Sequence, residues 1–375
     1  MNVPNSVLKS DERAVFQLRS LYGQYGYSQF KMSKFEEYEL YARNKSFLVS
    51  DHVITFTDTN GKLMALKPDV TLSIVKNSKD MVCGVQKVYY DENVYRVSKR
   101  TQSFREIKQV GLECIGEIDL YCISEVLMLA ARSLSCISED FVLDISHLGV
   151  VSAILARLQV SEEQKSVLLG CIGEKNLHGL EAACAEAGIS KGDAASLCAL
   201  ISTYGPACEV LPILRAAFAE GEERESVEQL AELCDSLCDV IPADKLRLDF
   251  SVVSDAGYYN GIAFKGFVRG ISTDILSGGQ YDNLMRKMNK RAGAIGFALY
   301  LDRLEELSSG RESFDVDTVL LYGADTPVSA VRASMDALIR EGKTVSAQRA
   351  VPEKMTYRQL LRVGEKGVES VEADA

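Results

Sequence analysis

Apolar and polar residues alternate with a period of two in several segments of the chain, the pattern of strands that have one buried face. Residues 246–250 read L-R-L-D-F, with polar side chains at Arg247 and Asp249. Two longer alternating segments, 86–96 and 107–116, flank a polar, arginine-bearing loop. The two longer segments predict a pair of antiparallel strands.

Helical spacing of apolar residues is found in three other regions. Residues 11–25 predict an amphipathic helix that ends at Gly26. Residues 118–135 predict a second long helix with an apolar face. From 161 to 239 the chain is alanine-rich and helical, with glycine breaks and no chemical motif. This helical region separates two groups of predicted strands.

Short strands are predicted between the first two helices. Residues 27–34 and 53–58 have the composition of strands. Asn60 and Gly61 then predict a tight turn, and residues 63–66 predict the returning strand of a hairpin.

Composition narrows the class of protein. The chain has 375 residues, of which 47% are hydrophobic, enough for two or three packed domains. Its formal net charge of −11 opposes a polyanionic partner such as tRNA, because nucleic-acid affinity depends on lysine and arginine contacts to phosphate. No apolar run approaches the roughly 20 residues that span a bilayer. The amino terminus lacks the apolar core of a signal peptide, so we expect a cytoplasmic protein without membrane contact.

Cysteine and histidine usage bears on redox state and metal binding. Ten cysteines without an export signal indicate a reducing cytosol, where thiols act as small core residues. The chain has three histidines, and only Cys234 and Cys238 lie close together in sequence. We therefore expect no metal site.

Two kinds of short motif carry residues suited to a binding site. Asp69 and Thr71 stand at a predicted strand-to-helix junction after Pro68, where a carboxylate and a hydroxyl either cap the helix or bind a ligand. The segments 257–261 and 278–282 place glycines beside tyrosines, which is more often a turn beside a core ring than a pocket. Taken singly, these motifs do not decide between a structural and a binding role.

The order of the segments resembles the class II aminoacyl-tRNA synthetases, specifically the histidyl-tRNA synthetase family. The matching segments are L-K-P-D-V-T (66–71), the strand pair around Arg96, S-D-A-G-Y-Y (254–259), S-G-G-Q-Y-D (277–282) and G-F-A-L-Y-L-D-R (296–303). The resemblance implies an α+β fold with an antiparallel sheet flanked by helices. It assigns 1–150 and 240–307 to the synthetase-like core, 151–239 to a helical insertion, and 314–375 to a truncated α/β segment similar to an anticodon-binding domain.

The same resemblance implies a pocket for a histidine-like amino acid. In the family, the acid and threonine of L-R-P-E-x-T hold the amino group of histidine, an arginine holds carboxylate or phosphate, and a glutamine and a glutamate contact the amino acid. Arginine suits its task because its planar fork donates two hydrogen bonds to an oxyanion. Carried over to this sequence, the binding residues are Asp69, Thr71, Arg96, Gln109, Glu113, Tyr258, Tyr259 and Tyr281, with pocket backbone at Gly278, Gly279 and Gly296.

Four positions depart from the family pattern where ATP would be bound and activated. Ser98 replaces an acid that helps to organise ATP, and Ser254 replaces an arginine that supports the transfer chemistry. Serine has no positive charge with which to stabilise phosphate in a transition state. Tyr300 places a ring where the family has glycine, and Gln280 replaces arginine. The sequence therefore predicts an amino-acid pocket without adenylating chemistry.

This combination resembles the family of ATP phosphoribosyltransferase regulatory subunits, which are catalytically inert paralogues of histidyl-tRNA synthetase. The resemblance implies a non-catalytic subunit without cofactor or metal. Such a subunit is required for the activity of a short catalytic subunit and for feedback inhibition by L-histidine in the first step of histidine biosynthesis. A homodimer within a hetero-oligomer is also implied.

Two alternatives remain open at the level of sequence, because a fold does not determine a function. One is a divergent histidyl-tRNA synthetase-like or amino-acid-adenylating enzyme, which amino-acid-dependent ATP–pyrophosphate exchange would reveal. The other is a stand-alone amino-acid-binding module, which the absence of a short catalytic subunit from the genome would favour.

Overall fold

The computed structural model describes residues 8–48, 52–79, 83–97, 103–158, 160–218, 221, 223–253, 259–308, 314–364 and 367–371. The chain divides into two compact units, residues 1–307 and 308–375. A nine-stranded and a three-stranded sheet lie in the first unit, and a four-stranded sheet lies in the second.

The helices and strands are numbered separately in chain order. The helices are α1 (Ser10–Gln24), α2 (Tyr38–Arg43), α3 (Thr71–Asn77), α4 (Leu120–Ser135), α5 (Leu148–Arg157), α6 (Glu162–Gly173), α7 (Leu177–Glu186), α8 (Lys191–Ser202), α9 (Ala207–Ala217), α10 (Glu223–Leu237), α11 (Asp282–Lys287), α12 (Glu305–Ser308) and α13 (Val328–Arg340). The strands are β1 (Ser28–Gln29), β2 (Phe35–Glu37), β3 (Thr55–Thr57), β4 (Leu63–Leu66), β5 (Val85–Val97), β6 (Phe104–Gly116), β7 (Phe141–His147), β8 (Gly205–Pro206), β9 (Leu246–Leu248), β10 (Ile262–Val268), β11 (Leu276–Gln280), β12 (Gly293–Tyr300), β13 (Val316–Leu321), β14 (Val345–Gln348), β15 (Tyr357–Gly364) and β16 (Gly367–Ser370).

The nine-stranded sheet forms the centre of the first unit. Its strand order is β1-β5-β6-β12-β11-β10-β7-β9-β8. The pairs β1–β5 and β7–β9 are parallel, and the other neighbours are antiparallel. The alternating segments on both sides of the arginine-bearing loop form the long hairpin β5–β6, as predicted.

The two faces of this sheet are covered by different elements. Leu112, Phe264 and Phe297 on one face belong to the same buried cluster as Leu18 of α1 and Leu134 of α4. Along the strands these residues alternate with the residues of the opposite face, which carries the candidate site. A second buried cluster, with residues from α2, α3 and α11, packs beside that site.

The three-stranded sheet has the order β2-β4-β3 and contains the predicted hairpin turn. The Asp58 carboxylate accepts the backbone N–H groups of Asn60 and Lys62, both at 2.8 Å. Gly61 has φ +78°, a conformation that glycine adopts without steric cost. The turn predicted from Asn60 and Gly61 is therefore confirmed.

The strand predicted over 27–34 is wrong in extent, since β1 covers only Ser28–Gln29. The N–H of Phe30 still bonds to the carbonyl of Tyr89 at 2.8 Å. Beyond it the chain leaves β5 and contributes β2 to the smaller sheet. The composition of residues 27–34 does not predict where the chain passes from the nine-stranded sheet to the three-stranded sheet.

Helices α6 to α10 lie between α5 and β9 in the sequence. Ser161 begins α6 with a capping box, and Ser190 caps α8 by accepting the N–H of Asp193, which satisfies groups at the helix start that have no partner within the helix. Helix α10 packs against α4 and α5. The division of the first unit into a core and a helical insertion remains a prediction.

The second unit contains a mixed sheet with the order β14-β13-β15-β16. Strand β13 is parallel to both of its neighbours, and β16 is antiparallel to β15. Helix α13 connects β13 to β14, so this unit begins with a β-α-β arrangement.

Candidate functional site

One face of the nine-stranded sheet, here called the pocket face, carries a row formed by Glu113, Gly296 and Gly279. These residues lie opposite one another on β6, β12 and β11, and opposed residues of antiparallel strands share a face. A Cβ on Gly296 would lie 1.8 Å from Glu113 Oε2, and one on Gly279 would lie 2.7 Å from a ring carbon of Tyr259. The two glycines thus leave the room that these side chains occupy.

Glu113 is the centre of a hydrogen-bond cluster. Thr71, the first residue of α3, donates its hydroxyl to Glu113 Oε1 at 2.9 Å. Tyr281, directly before α11, donates its hydroxyl to Glu113 Oε2 at 2.6 Å. Three residues far apart in sequence therefore meet in one buried cluster, and all three are among the predicted binding residues.

The electrostatics of Glu113 are set by burial. Only 2% of the residue is exposed, and burial raises the pKa of its carboxyl group to about 8 against the opposing effect of the Tyr281 and Thr71 hydrogen bonds. Neighbouring Asp69 raises the same pKa further, because two carboxylates repel each other. The pKa of the buried Tyr90 hydroxyl is also raised, first by burial and then by Glu113.

Asp69 lies beside this cluster, but part of its carboxylate serves the backbone. Its Oδ1 accepts the N–H of Leu72 at 2.9 Å in the first turn of α3. Burial raises the pKa of Asp69, whereas that hydrogen bond and the charge of Arg96 lower it. Arg96 on β5 donates its Nε to the carbonyl of Pro68 at 2.9 Å. Through its bond to the N–H of Leu72, Asp69 caps the first turn of α3.

A second row on the pocket face joins Glu92, Gln109 and Tyr300, on β5, β6 and β12. We call the residues around this row the blocked end; it comprises Lys67, Glu92, Tyr300, Arg303 and Asp274. Lys67 is fully buried and pairs with Glu92 at 2.5 Å. The Arg303 guanidinium lies 4.5 Å from the centre of the Tyr300 ring and pairs with Asp274 at 3.3 Å.

In the blocked end Lys67 and Arg303 each have an acid beside them, although the buried Nη1 of Arg303 makes no hydrogen bond. Phosphate binding relies on cations with free hydrogen-bond donors. The Tyr300 ring additionally covers one side of the Arg303 guanidinium.

Some predicted residues lie elsewhere. Gly278 pairs with Phe297 and therefore belongs to the opposite face of the sheet, where a Cβ would collide with the Phe264 ring. Gln280 accepts the N–H of Ile262 through its side-chain oxygen at 2.8 Å, which ties β11 to β10. Tyr258, Ser98 and Ser254 lie outside the described residues.

The sequence did not point to the Lys67–Glu92 pair, to the stacking of Arg303, or to Tyr90, whose hydroxyl lies 3.5 Å from the carbonyl of Phe297. A signal for the first existed, since Lys67 directly follows the predicted strand 63–66 and Glu92 lies in the predicted strand 86–96, both close to residues of the site. The ion pair between Lys67 and Glu92 forms only in the folded chain, so a single sequence does not predict it.

Neither a metal-binding cluster nor a membrane-spanning helix occurs among the described residues. Within the ranges given above, no three His, Cys, Asp or Glu side chains stand close enough to hold a metal ion. In the same ranges, no helix combines the length and the apolar character needed to cross a membrane.

Known proteins similar to this chain include ATP phosphoribosyltransferase regulatory subunits and a histidine–tRNA ligase. The model of the histidyl-tRNA synthetase family matches residues 4–304. An ATP phosphoribosyltransferase regulatory subunit of Caldanaerobacter subterraneus subsp. tengcongensis is 30% identical over 77% of this chain and 76% of its own. A histidine–tRNA ligase of Methanocaldococcus jannaschii is 26% identical over 93% of this chain and 87% of its own.

A solved structure has a fold similar to that of this chain. A chain of the ATP phosphoribosyl transferase (HisG:HisZ) complex of Thermotoga maritima superposes with a TM-score of 0.61 and 21% identity, covering 78% of this chain and 97% of that one. The predicted class II synthetase-like fold is therefore confirmed. With a family model that matches four-fifths of its residues, the chain belongs to the histidyl-tRNA synthetase family.

Proposed function

We propose that this chain is a non-catalytic regulatory subunit of ATP phosphoribosyltransferase. In this role it binds L-histidine in the pocket around Glu113 and is required for the activity of a short catalytic subunit in the first step of histidine biosynthesis. The relative that is 30% identical carries the name of such a regulatory subunit, which supports the proposal.

The observation that carries the proposal is the contrast between the two ends of the pocket face. Around Glu113 and Thr71, hydroxyl and carboxyl groups line a site with glycine in its floor. At the blocked end, Lys67 and Arg303 each have an acid beside them. A site of this kind favours an amino acid over a nucleoside triphosphate, because ATP needs unpaired cations for its phosphates.

Regulation by the bound amino acid follows from thermodynamic linkage. Histidine changes the activity of the catalytic subunit only if it binds more tightly to one state of the assembly than to another. We propose L-histidine as the effector, and a homodimer of this chain within the hetero-oligomer. A role in tRNA binding is disfavoured by the net charge of −11.

The deciding experiment combines this chain with the short catalytic subunit of the same organism. Phosphoribosyl transfer from phosphoribosyl pyrophosphate to ATP is measured for each subunit alone and for the mixture. We expect activity that requires both chains and is inhibited by L-histidine. An equal rate with and without this chain would sink the proposal.

A matched pair of variants locates the effector site. Thr71→Val removes the hydroxyl that contacts Glu113 and should raise the histidine concentration needed for half-inhibition by at least tenfold. Ser196→Ala removes a hydroxyl from an exposed position of α8 and should leave inhibition unchanged. Equal inhibition of both variants would place the effector elsewhere.

The similarity to the histidine–tRNA ligase of Methanocaldococcus jannaschii favours one competing function, adenylation of an amino acid. Pyrophosphate exchange into ATP that depends on L-histidine, measured with this chain alone, tests it. The paired state of Lys67 and Arg303 predicts no exchange above background.

A further inference from the structure

Lys175 lies in the connection between α6 and α7, in a backbone conformation that is unusual for a lysine. Its φ of +53° is in the left-handed region, where the residue that ends a helix is most often glycine. Its N–H bonds to the carbonyl of Ile172 at 3.1 Å and closes the last turn of α6. A side chain at such a position strains the backbone, and the contacts of the Lys175 ammonium group offset that strain.

The Lys175 ammonium group joins the helical region to the end of β9. It pairs with Asp249 Oδ2 at 2.6 Å and lies 4.2 Å from the centre of the Tyr204 ring, a distance at which the face of an aromatic ring attracts a cation. Asp249 directly follows β9, and Tyr204 directly precedes β8. We call Lys175, Tyr204 and Asp249 the clasp.

Asp249 also shapes the turn that follows β9. Its Oδ1 accepts the N–H of Ser251 at 2.9 Å, and its carbonyl oxygen accepts the N–H of Val252 at 3.2 Å. Only 8% of its side chain is exposed. Burial and the charge of Asp249 raise the pKa of neighbouring Asp144 to about 6. Without Lys175, Asp249 would be a buried carboxylate that has lost its ion pair and faces a second acid, which is strongly unfavourable.

Val252 extends these contacts from the turn to the candidate site. It is buried in the large apolar cluster, against which Tyr259 packs. Val252 and Tyr259 also line the same small cavity. The Tyr259 ring lies over Gly279 on the pocket face, where a Cβ would be 2.7 Å from a ring carbon. A chain of contacts among described residues therefore leads from Lys175 to an aromatic ring on the pocket face.

We propose that Lys175 is a positioning residue for this site: through Asp249 it holds the turn at 249–252 and thereby the Tyr259 ring. The side chain of Lys175 is 40% exposed and Tyr204 is 58% exposed, so a change at the surface of the helical region reaches the site through the clasp. The inference rests on the proposed function, since L-histidine is the ligand considered, and it concerns how the ligand site is coupled to the helical region.

Calorimetric titration with L-histidine tests the role of the clasp. Lys175→Met should raise the dissociation constant about fivefold, a moderate effect typical of residues that act on a ligand from a distance. Lys175→Gly should raise it equally, although glycine suits the left-handed backbone and does not impair folding there. Lys175→Arg keeps the charge and the contact with the Tyr204 ring and should restore the affinity. Lys165→Met, which removes an ammonium group paired with Glu162 within α6, should bind like the unaltered chain.

Two outcomes separate this inference from the proposed function. Equal affinity for histidine in the unaltered chain, Lys175→Met and Lys175→Gly would overturn the inference and leave the proposed function standing. A failure of the unaltered chain to bind histidine would count against the proposed function, and the inference would then be decided without ligand.

Fluorine NMR of the ligand-free chain, labelled with fluorotyrosine, makes that decision. The signal of Tyr259, identified by its loss from Tyr259→Phe, should move in Lys175→Met and Lys175→Gly and return in Lys175→Arg. The signal of Tyr22, which is buried and bonds to Ser133 of α4, serves as a reference that should not move. A Tyr259 signal at one position in the unaltered chain and in all three Lys175 variants would contradict a positioning role.

Discussion

The two ends of the pocket face differ in how their buried charged groups are paired. Around Glu113 the hydroxyls of Thr71 and Tyr281 donate hydrogen bonds to the carboxyl group, and no ion pair of Glu113 is found among the described residues. At the blocked end, Lys67 meets Glu92 and Arg303 meets Asp274, so the charges cancel within the chain. One end has a buried acid, whereas at the other Lys67 and Arg303 each have an acid beside them.

This difference suggests how a chain can bind an amino acid and still be unable to adenylate it. An adenylating enzyme must hold an amino acid and a triphosphate side by side, and each half requires charge of its own sign. In the proposed function, the half for the amino acid keeps Glu113, while Lys67 and Arg303 are paired with acids of the chain itself. The same sheet can thus retain recognition without chemistry.

The largest effect should follow from breaking the ion pair at the blocked end. Glu92→Gln leaves the Lys67 ammonium, which is fully buried, without its carboxylate. Removal of one member of a buried pair costs about 3–5 kcal/mol, and we expect an effect of that size on the free energy of unfolding in urea. The double variant Lys67→Met, Glu92→Gln should regain most of it, because no charge then remains buried. Equal stability of the single and double variants would show that the pair has no structural role.

A somewhat smaller effect should come from Glu113, through the pH dependence of stability. Its folded-state pKa of about 8 exceeds its ordinary value of 4.5, so between these values the folded state binds more protons than the unfolded state. Stability should therefore fall as pH rises, by on the order of 3 kcal/mol between pH 5 and pH 8 for a group shifted this far.

The profile of Glu113→Gln isolates that contribution. Its free energy of unfolding should match that of the unaltered chain near pH 5 and exceed it at pH 8, because the amide carries no charge at either pH. Parallel profiles for the two proteins would mean that Glu113 ionises in the folded state as it does in water.

The space in the floor of the pocket gives a third comparison. In Gly296→Ala the new methyl group would overlap Glu113 Oε2 and lie 2.4 Å from the carbonyl oxygen of Leu112. Overpacking of this kind costs about 1–3 kcal/mol, and it should abolish histidine binding in a calorimetric titration. Gly170→Ala in α6 meets no atom within 4 Å and should stabilise the protein slightly, because alanine favours the helix. Binding by Gly296→Ala at full affinity would move the ligand away from this row.

How far the sequence predicts the site depends on the range of the interaction. Alternation along β6 puts Gln109 and Glu113 on one face, as the structure has them, but it does not show that this polar face is buried. The junction at Asp69 remained ambiguous because an aspartate serves as cap and as ligand equally well, and its bond to Leu72 now shows capping. The pairing of Lys67 with Glu92 joins residues 25 positions apart, which come together where the N–H of Tyr95 in β5 bonds to the carbonyl of Lys67.

The smallest effect concerns a single hydroxyl and compares the two ends directly. Tyr281→Phe removes the donor to Glu113 Oε2, at a cost of about 1 kcal/mol in the free energy of unfolding. Because that hydrogen bond lowers the pKa of Glu113, the Glu113 carboxyl group of the variant should titrate at a higher pH, which its infrared carbonyl band would show. Tyr300→Phe keeps the ring against Arg303 and should leave the titration of Glu113 unchanged. If both variants shifted the pKa equally, the two ends would share one electrostatic environment, and the division between the two ends would fail.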